Sequence, residues 1–480
     1  MSRAGAAAAD ALRRHAGDRL THGVAIFAGT GNNGGDAWVV AGILRHGGVT
    51  VRMHATGEPA TADALAARSH ALASGSFEAP RGDEAVAVDG LLGTGASGEP
   101  RGAVAEALGS LAALRARGAF VLALDVPSGL DASTGDEAAT TVPADLTVTF
   151  GTLKRGLVIA RAAAGAIEVA DIGLGAHASL SDGAPVLLDP RTAFESVPRI
   201  GASAHKGTRG RVAIVGGREG MAGAAVLAAR GALRAGAGLV RLVVATESLS
   251  AVQASVPEAT GALWPRNDVV VGDALGTPDA VVVGPGLGPA NRALVEMVLR
   301  QENIPTVLDA DALNAYAGEV GALRGVLGAR NAVLTPHAAE CGRLLGMPTS
   351  EVLRERFEVG LRLARAANAI VVLKGTPTIV SAPDGRVVVA PVGSPVLATG
   401  GSGDVLAGVA GALLAVIPDA FAAALAAVWA HGAAAERVAT SHVRGATLAD
   451  VVDALRDVWR GEPAELPEGV LAAFPAVGER

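Results

Sequence analysis

The amino-acid sequence predicts an α/β protein in which helices cover both faces of mainly parallel sheets. Short runs of Val, Ile and Leu alternate with Ala-rich helical stretches, a pattern typical of buried parallel strands joined by helices. Half of the residues are hydrophobic but only 3% are aromatic, so the interior must be built from Ala, Val and Leu. Because 480 residues exceed one comfortable core and the alternation occurs twice, we expect two domains.

Strands are predicted in both halves of the chain. In the first half they span 24–28, 49–54, 85–89, 120–125 and 146–150, and in the second half 211–216, 239–245, 280–283, 306–309, 332–335 and 370–374. Residues 179–204 contain several prolines and no sustained periodicity, which indicates a connection between the domains. We therefore expect a first domain at 1–185, a linker at 186–203 and a second domain at 204–480.

Composition excludes several classes of protein. A net charge of −7 provides no basic footprint for nucleic acid. The single cysteine, Cys341, excludes an intrachain disulfide and favours a reducing compartment. The first ten residues lack the apolar stretch of a secretory signal, and Pro418-Asp419 divides the apolar segment 405–435 into pieces too short to span a membrane. We expect a cytoplasmic protein without nucleic-acid or membrane partners.

The glycine-rich segment ATGGSGDVLAG at 398–408 is the most informative motif. Its glycines allow several backbone N–H groups to converge on an anion at the start of an apolar helix. Asp404 follows directly and can take a proton from an acceptor hydroxyl, as phosphoryl transfer requires. Lys374, at the end of a predicted strand, is expected near the phosphates. The alternative is an ordinary glycine-rich loop with an aspartate at the helix start.

Polar residues also follow the strands of the first half. The segment GTGNNGGD at 29–36 joins a strand to a helix and is not the dinucleotide-binding GxGxxG fingerprint. Because parallel strands end at one edge of a sheet, Asn33, Asp89, Asp125 and Ser128 are expected to converge around a hard cation and a polar substrate. The alternative is that each aspartate only caps a turn.

Eleven ordered motifs carry a resemblance to a known family. They are GTGNNGGDAW (29–38), VDGLLGTG (88–95), LDVPSGLDASTG (124–135), DLTVTFGTLKRGL (145–157), HKGTRGRVAIVGG (205–217), GMAGAAVLAARGALRAGAGLV (220–240), VVGPGLG (282–288), VLDADALN (307–314), LTPHAAE (334–340), LKGTPT (373–378) and ATGGSGDVLAG (398–408). The sequence resembles the bifunctional NAD(P)H-hydrate repair enzymes, over roughly residues 22–175 and 204–440. This resemblance implies a Rossmann-like three-layer epimerase domain followed by a ribokinase-like α/β/α domain, an ADP-dependent dehydratase.

The resemblance also implies binding residues in the epimerase domain. Those contacting the hydrated nucleotide would be Asn32, Asn33, Gly34, Gly35, Asp36, Gly93, Thr94, Gly95, Ala96, Ser97, Gly98, Glu99 and Asp125. Asn33, Asp89 and Ser128 would hold potassium. Asp125 would act as acid or base in the change of configuration at C6 of the nicotinamide ring.

In the dehydratase domain, the resemblance implies two neighbouring sets of ligands. The hydrated nucleotide would contact Ala224, Gly286, His337 and Asp404, and Asp404 would be catalytic. The adenine nucleotide, ADP or alternatively ATP, would contact Lys374, Gly375, Thr376, Pro377, Thr378 and Gly403. Magnesium is expected with the nucleotide, and the family resemblance also suggests a homo-oligomer. A histidine such as His337 is otherwise more often a structural residue.

The sequence departs from the family pattern at three places. Ala37-Trp38 follows GNNGGD where the family usually has glycine, and Gly393-Ser-Pro-Val-Leu397 replaces an Asn-Pro-Gly-Met-like run. The segment before Ala4-Gly5 is shorter than the family's helical leader. Two alternatives stay open from the residues: a ribokinase-like kinase for a small molecule, and a dehydratase whose first domain is a non-catalytic binding module.

Overall fold

The computed structural model describes residues 1–175, 183–288, 290–301, 304–441, 443–459 and 466–476. It divides the chain into two compact units. The first consists of Met1–Asp182 with Ala464–Gly478, and the second consists of Gly183–Pro463 with Glu479–Arg480. Strands and helices are numbered along the whole chain.

The first unit contains a seven-stranded sheet. Its strands are β1 (Val24–Ala28), β2 (Val51–Ala55), β3 (Val86–Gly90), β4 (Phe120–Leu124), β5 (Leu146–Phe150), β6 (Ala166–Ala170) and β17 (Val470–Phe474). They are ordered β17-β6-β5-β4-β3-β1-β2, and every neighbouring pair is parallel except β17 with β6. The parallel strands therefore end together at one edge, where the loops carrying the predicted polar residues begin.

Helices of the first unit bury small side chains. The helices are α1 (Ser2–Ala16), α2 (Asn32–His46), α3 (Ala62–Leu72), α4 (Ala103–Ala116), α5 (Arg155–Ile159) and α6 (Arg161–Ala164). In α1, Ala4, Ala8 and Leu12 are buried at helical spacing. A Cβ atom on Gly5 would lie 2.5 Å from Val39 Cβ, so only glycine allows α1 to approach α2 this closely. Small residues thus set the spacing of these helices.

The second unit contains a ten-stranded sheet. Its strands are β7 (Val186–Leu187), β8 (Arg211–Val215), β9 (Leu239–Val244), β10 (Thr260–Leu263), β11 (Ala280–Val283), β12 (Thr306–Leu308), β13 (Ala332–Leu334), β14 (Ile370–Leu373), β15 (Thr378–Ser381) and β16 (Val387–Ala390). The order is β10-β9-β8-β11-β12-β13-β14-β15-β16-β7. Pairing is parallel as far as β14, and β15 then runs antiparallel to both of its neighbours.

The helices of the second unit are α7 (Pro190–Phe194), α8 (Ala222–Arg234), α9 (Leu249–Ser255), α10 (Val271–Leu275), α11 (Arg292–Leu299), α12 (Asp311–Asn314), α13 (Val320–Leu327), α14 (Ala338–Leu345), α15 (Thr349–Arg354), α16 (Arg356–Ala367), α17 (Ser402–Leu414), α18 (Ala420–Ala439) and α19 (Leu448–Ala454). A Cβ on Gly408 would lie 1.9 Å from Ala228 O, so glycine is required where α17 crosses α8. This contact holds the start of α17 against the core.

The apolar segment 405–435 forms two helices, as predicted. Helix α17 ends at Leu414, and Asp419 caps the start of α18 by accepting a hydrogen bond from Phe421 N at 2.9 Å. None of the helices in the described part of the chain combines the length and hydrophobicity that crossing a membrane requires.

The structure differs from the predicted domain division in two segments. The linker expected at 186–203 contains β7, which pairs with β16, and α7. Strand β17 lies in the range assigned to the second domain but pairs with β6 of the first unit. Both segments gain their order from residues far away in sequence, so local periodicity did not reveal it.

Candidate active sites

In the first unit, the loop between β1 and α2 packs against the loop after β3. A Cβ on Gly29 would lie 1.8 Å from Leu91 O, and a Cβ on Gly34 would lie 1.9 Å from Gly29 O. Only glycine permits both approaches. The GTGNNGG segment is therefore held beside Asp89 and Leu91 by backbone packing.

Asn33, Asp89 and Ser128 meet around the backbone of Leu92. Asn33 Nδ2 donates to Leu92 O at 2.7 Å, and Leu92 N donates to Ser128 Oγ at 2.9 Å. Ser128 in turn donates to both carboxylate oxygens of Asp89, from Oγ at 2.5 Å and from its backbone N at 2.8 Å. The structure thus brings together the three residues expected to bind a cation.

One oxygen of this cluster is left unsatisfied. Asn33 Oδ1 is buried and has no hydrogen-bond partner among the described residues. Asp89 is fully buried, and burial raises the pKa of its carboxyl against the opposing hydrogen bonds from Ser128 and Leu91 N. A buried carbonyl oxygen without a donor, beside a carboxyl group, fits a hard cation such as potassium. In the part of the chain that the structure describes, no three His, Cys, Asp or Glu side chains form a metal-binding group.

Asp125 follows β4 in a strained backbone conformation. Its φ of 65° lies in the left-handed region, which non-glycine residues adopt at a cost of about 1–3 kcal/mol. Lys154 Nζ lies 2.6 Å from Asp125 Oδ1, and Thr149 Oγ1 donates to the same oxygen at 3.2 Å. The Asp125 carboxylate is therefore held in place as an ion pair.

Asp36 lies on α2 in a different environment. It is buried, and its Oδ1 has no hydrogen-bond partner among the described residues. The amino group of Met1 is 4.0 Å from this oxygen. Burial raises the pKa of Asp36 to about 7; the Met1 amino group opposes this shift, and the negative charge of Asp125 adds to it. Asp36 can therefore gain or lose a proton near neutral pH.

The other predicted residues of the first site are less enclosed. Asn32 is exposed, and its Oδ1 accepts a hydrogen bond from Thr61 Oγ1 at 2.7 Å. A Cβ on Gly93 would lie 3.3 Å from Asn33 Cβ, so Gly93 borders the cluster. Residues 94–99 form a mostly exposed loop, in which Glu99 accepts a hydrogen bond from Ala139 N at 2.7 Å.

In the second unit, the glycine-rich turn begins helix α17. Gly401, directly before the helix, has a left-handed φ of 98°, which glycine adopts without strain. Ser402 Oγ donates to Leu397 O at 2.7 Å and fastens the turn to the preceding segment. The N–H of Ser402 donates to Thr399 O at 3.2 Å, whereas those of Gly403 and Asp404 lack intrahelical acceptors and are available to an anion. Asp404 lies within this turn.

Charged residues from the ends of β12 and β14 and from helix α14 surround the turn. Lys374 Nζ donates to Asp309 Oδ1 at 2.8 Å and lies 3.8 Å from Glu340 Oε2. A Cβ on Gly403 would lie 3.0 Å from Lys374 Nζ, which places the glycine directly against the ammonium group. Burial acts to lower the pKa of Lys374, but the carboxylates of Asp309 and Glu340 raise it on balance. Lys374 is therefore charged.

Asp404 has the properties of a general base. Burial raises the pKa of Asp404 to about 7; the charge of Asp309 adds to this shift and Lys374 opposes it. A carboxylate with a pKa near the working pH can accept a proton and release it again. The proton-accepting role predicted for Asp404 is thus compatible with its surroundings.

Ala224, Gly286 and His337 line the neighbouring strand ends. A Cβ on Gly286 would lie 3.0 Å from Ala224 Cβ, so these two residues are in contact. His337 forms a backbone bridge with Lys374 and caps α14: its Nδ1 accepts hydrogen bonds from Ala339 N at 3.1 Å and Glu340 N at 3.2 Å. The His337 side chain is half exposed. It therefore has a structural role and is still accessible to a ligand.

The segment Lys374–Thr378 turns between β14 and β15. Its Thr376–Pro377 peptide bond is cis, and Thr378 Oγ1 donates to Gly375 O at 3.1 Å. The Arg356 guanidinium, at the start of α16, donates to Thr376 O. The turn therefore extends from Lys374 towards an exposed surface.

Three of these charged residues were not predicted as site residues from the sequence. Asp309, Glu340 and Lys154 stand inside quoted motifs, but their partners lie elsewhere in the chain. Asp309 ends a predicted strand and Lys154 follows one by four residues, which was the available signal; Glu340 lies in helix α14, where no such signal existed.

Comparison with known proteins identifies the relatives of both units. Residues 212–456 match the family model described as NAD(P)H-hydrate dehydratase, and residues 1–156 match the one described as YjeF-related protein N-terminus. The bifunctional NAD(P)H-hydrate repair enzyme of Moorella thermoacetica is 35% identical over 418 residues, covering 81% of this chain and 78% of the relative. The enzyme of that name from Escherichia coli is 33% identical over 375 residues, covering 75% and 70%.

Solved structures resemble the second unit. The ADP/ATP-dependent NAD(P)H-hydrate dehydratase from Bacillus subtilis, co-crystallised with ATP and Mg²⁺, has a TM-score of 0.50 and 29% identity and covers 58% of this chain and 99% of its own. A ribokinase-like superfamily protein from Enterococcus faecalis, at 23% identity and a TM-score of 0.51, shares the fold and covers 57% of this chain and 95% of its own. The chain belongs to the family of bifunctional NAD(P)H-hydrate repair enzymes.

Proposed function

We propose that this protein repairs hydrated NADH and NADPH. The first unit interconverts the R and S epimers, and the second removes water from the S epimer in an ADP-dependent reaction. The observation that carries the proposal is the meeting of Asp404, the glycine turn and the Lys374–Asp309 ion pair.

The second unit supplies what phosphoryl transfer to a hydroxyl group needs. Hydroxide is a poor leaving group, so the hydroxyl at C6 must be phosphorylated before elimination is feasible. Asp404 takes the hydroxyl proton as the hydroxyl oxygen bonds to the terminal phosphorus of the adenine nucleotide and the shortened nucleotide leaves. The N–H groups at the start of α17 stabilise the negative charge of the phosphoryl group during this transfer. Lys374 neutralises phosphate charge. Ala224, Gly286 and His337 bind the hydrated nucleotide beside Asp404.

The nucleotide and its metal ion fit the residues present. Lys374, Gly375, Thr376, Pro377, Thr378 and Gly403 bind ADP or ATP. Magnesium is usually held by one or two carboxylates together with substrate phosphates, and Asp309 and Glu340 are the carboxylates beside Lys374. When bound, magnesium would neutralise part of the phosphate charge.

The first unit binds the same nucleotide for epimerisation. Asn32–Asp36 and Gly93–Glu99 form the binding loops, and Asp125 exchanges a proton with the substrate. Potassium is held by Asn33, Asp89 and Ser128, as the unsatisfied Asn33 Oδ1 supports. Its charge would fix the loops around the substrate.

Recovery of 340-nm absorbance tests the proposal directly. The protein is incubated with mixed NADHX epimers, ADP, Mg²⁺ and K⁺. Full recovery is expected because both epimers are consumed. If, after correction for spontaneous epimerisation, only the S epimer is converted, the result would favour the alternative in which the first unit is a non-catalytic binding module. No recovery contradicts the whole proposal.

Family membership decides against the small-molecule kinase, because the match includes the GNNGGD-containing first unit. A cytoplasmic location and a homo-oligomeric state stay predictions, to be checked by cell fractionation and light scattering.

A further inference from the structure

The proposed epimerisation needs two proton-transfer groups, and only Asp125 has been assigned such a role. The reacting carbon C6 carries a hydroxyl group and is bonded to the ring nitrogen N1. Reversal of its configuration by ring opening requires a base for the hydroxyl proton and an acid for N1. A second group should therefore lie near Asp125.

Two carboxylates of the first unit occupy contrasting environments. Asp125 is paired with Lys154 at 2.6 Å and accepts a hydrogen bond from Thr149. Asp36 is 8% exposed, and its Oδ1 is buried without a hydrogen-bond donor in the described part of the chain. The Met1 amino group, 4.0 Å from this oxygen, stabilises an ionised carboxylate only in part, because burial without a hydrogen-bond donor favours the protonated form.

A Cβ on Gly90 would lie 2.6 Å from Ala37 Cβ and 3.2 Å from Leu124 Cδ1, so the residue after Asp36 and the residue before Asp125 pack against the same glycine. The charge of Asp125 also acts on Asp36. Paired carboxyl groups whose surroundings favour opposite protonation states are a typical arrangement of acid and base in enzymes.

We propose that Asp36 is the proton donor of the epimerase and Asp125 its base. This inference rests on the proposed function of the first unit.

The step conserves atoms and electrons. Asp125 accepts the hydroxyl proton as the C6–O bond becomes a carbonyl, the C6–N1 bond breaks with its electron pair passing to N1, and Asp36 donates its proton to N1. Rotation about C5–C6 presents the other face of the aldehyde. N1 then attacks C6, its proton returns to Asp36, and the oxygen regains the proton held by Asp125. No oxidant or reductant is involved.

The surroundings of Asp36 define the expected pH dependence. The charged groups acting on it are the Met1 amino group before α1 and Asp125 after β4, which is itself paired with Lys154 before α5. Since the pKa of Asp36 is about 7, the acid is half protonated at neutral pH. The epimerisation rate should therefore fall as the pH rises through about 7.

The test compares Asp36→Asn with a matched control in the same unit. Asp131→Asn serves as the control because Asp131 is partly exposed and caps a turn, accepting from Ser133 N at 2.8 Å, and asparagine caps turns equally well. Conversion of the purified R epimer is followed by NMR between pH 5.5 and 9. Asp36→Asn should lower kcat about 10²- to 10⁴-fold with little change in KM, and Asp131→Asn should leave both unchanged.

Several outcomes would overturn the assignment while leaving the proposed function intact. They are a wild-type rate without the decline above pH 7, an Asp36→Asn variant that keeps this decline, or one that changes KM alone. Folding of Asp36→Asn is judged by near-ultraviolet circular dichroism. If this variant fails to fold, the assignment of Asp36 is tested by the pH profile of the wild-type rate and by the Asp36→Glu variant, which should be active. A wild-type protein that does not accelerate epimerisation would instead refute the proposed function.

Discussion

Replacing Asp404 by asparagine should lower the activity of the second unit without destabilising its fold. Asparagine has nearly the same volume but cannot accept the hydroxyl proton. We expect dehydration of the S epimer to fall about 10²- to 10⁴-fold, the usual cost of losing a general base. At 1.36 kcal/mol for each factor of ten, this corresponds to roughly 3–5 kcal/mol of transition-state stabilisation.

The same substitution should not destabilise the protein. Burial raises the pKa of Asp404 from 3.8 to about 7, so the folded state holds this proton more tightly than the unfolded state does. Stability is therefore lost as the pH rises from 3.8 to 7, by roughly 4 kcal/mol at most. Asp404→Asn removes this penalty, and its unfolding midpoint at pH 8 should equal or exceed that of the wild type.

The assay follows 340-nm absorbance with purified S epimer and ADP, between pH 5.5 and 9. The wild-type rate should rise as Asp404 loses its proton near pH 7, and the variant should lack this dependence. Asp419→Asn is the control, because Asp419 lies outside the residues assigned to the site: it caps α18, which asparagine preserves, and is 3.8 Å from the half-exposed Arg386. Near-normal turnover by Asp404→Asn would refute the assigned role, as would a wild-type rate independent of pH.

Three further predictions concern other residues. Asp125→Asn should convert the S epimer normally and stall on R; consumption of R at the wild-type rate, corrected for spontaneous epimerisation, would show the assignment to be wrong. Asp89→Ala should weaken potassium binding and lower epimerase activity alone, and anomalous scattering from rubidium- or thallium-soaked wild-type crystals should show the ion; an empty site contradicts this. Burial, together with the charge of Lys374, lowers the pKa of His431 from 6.5 to about 4, so stability should fall as the pH drops from 6.5 towards 4. Between pH 6.5 and 5 the loss is roughly 2 kcal/mol, measured by denaturant unfolding, and His431→Gln should abolish it.

Much of the fold could be predicted because it is encoded in local patterns. The predicted strand 24–28 coincides with β1, and Pro418-Asp419 separates α17 from α18 as expected. The strand-end rule also brought Asn33, Asp89 and Ser128 together correctly, since parallel strands must end at one edge.

Other strands carry weaker local signals. Strand β7 has only two residues, too few to show the alternation of side chains that indicates a strand. Strands β15 and β16 follow a turn whose residues were assigned to nucleotide binding. Strand β17 pairs with a partner about 300 residues earlier, and no local pattern specifies such pairing.

The sequence alone therefore determined the fold class, the glycine turn and the aspartates that follow the strands, because each depends on neighbouring residues or on the direction of a strand. Only the tertiary structure decided which charges meet: Lys154 with Asp125, Lys374 with Asp309, and the Met1 amino group with the buried Asp36. The pKa values near 7 of Asp36 and Asp404 follow from burial, which arises only when distant segments pack around a side chain.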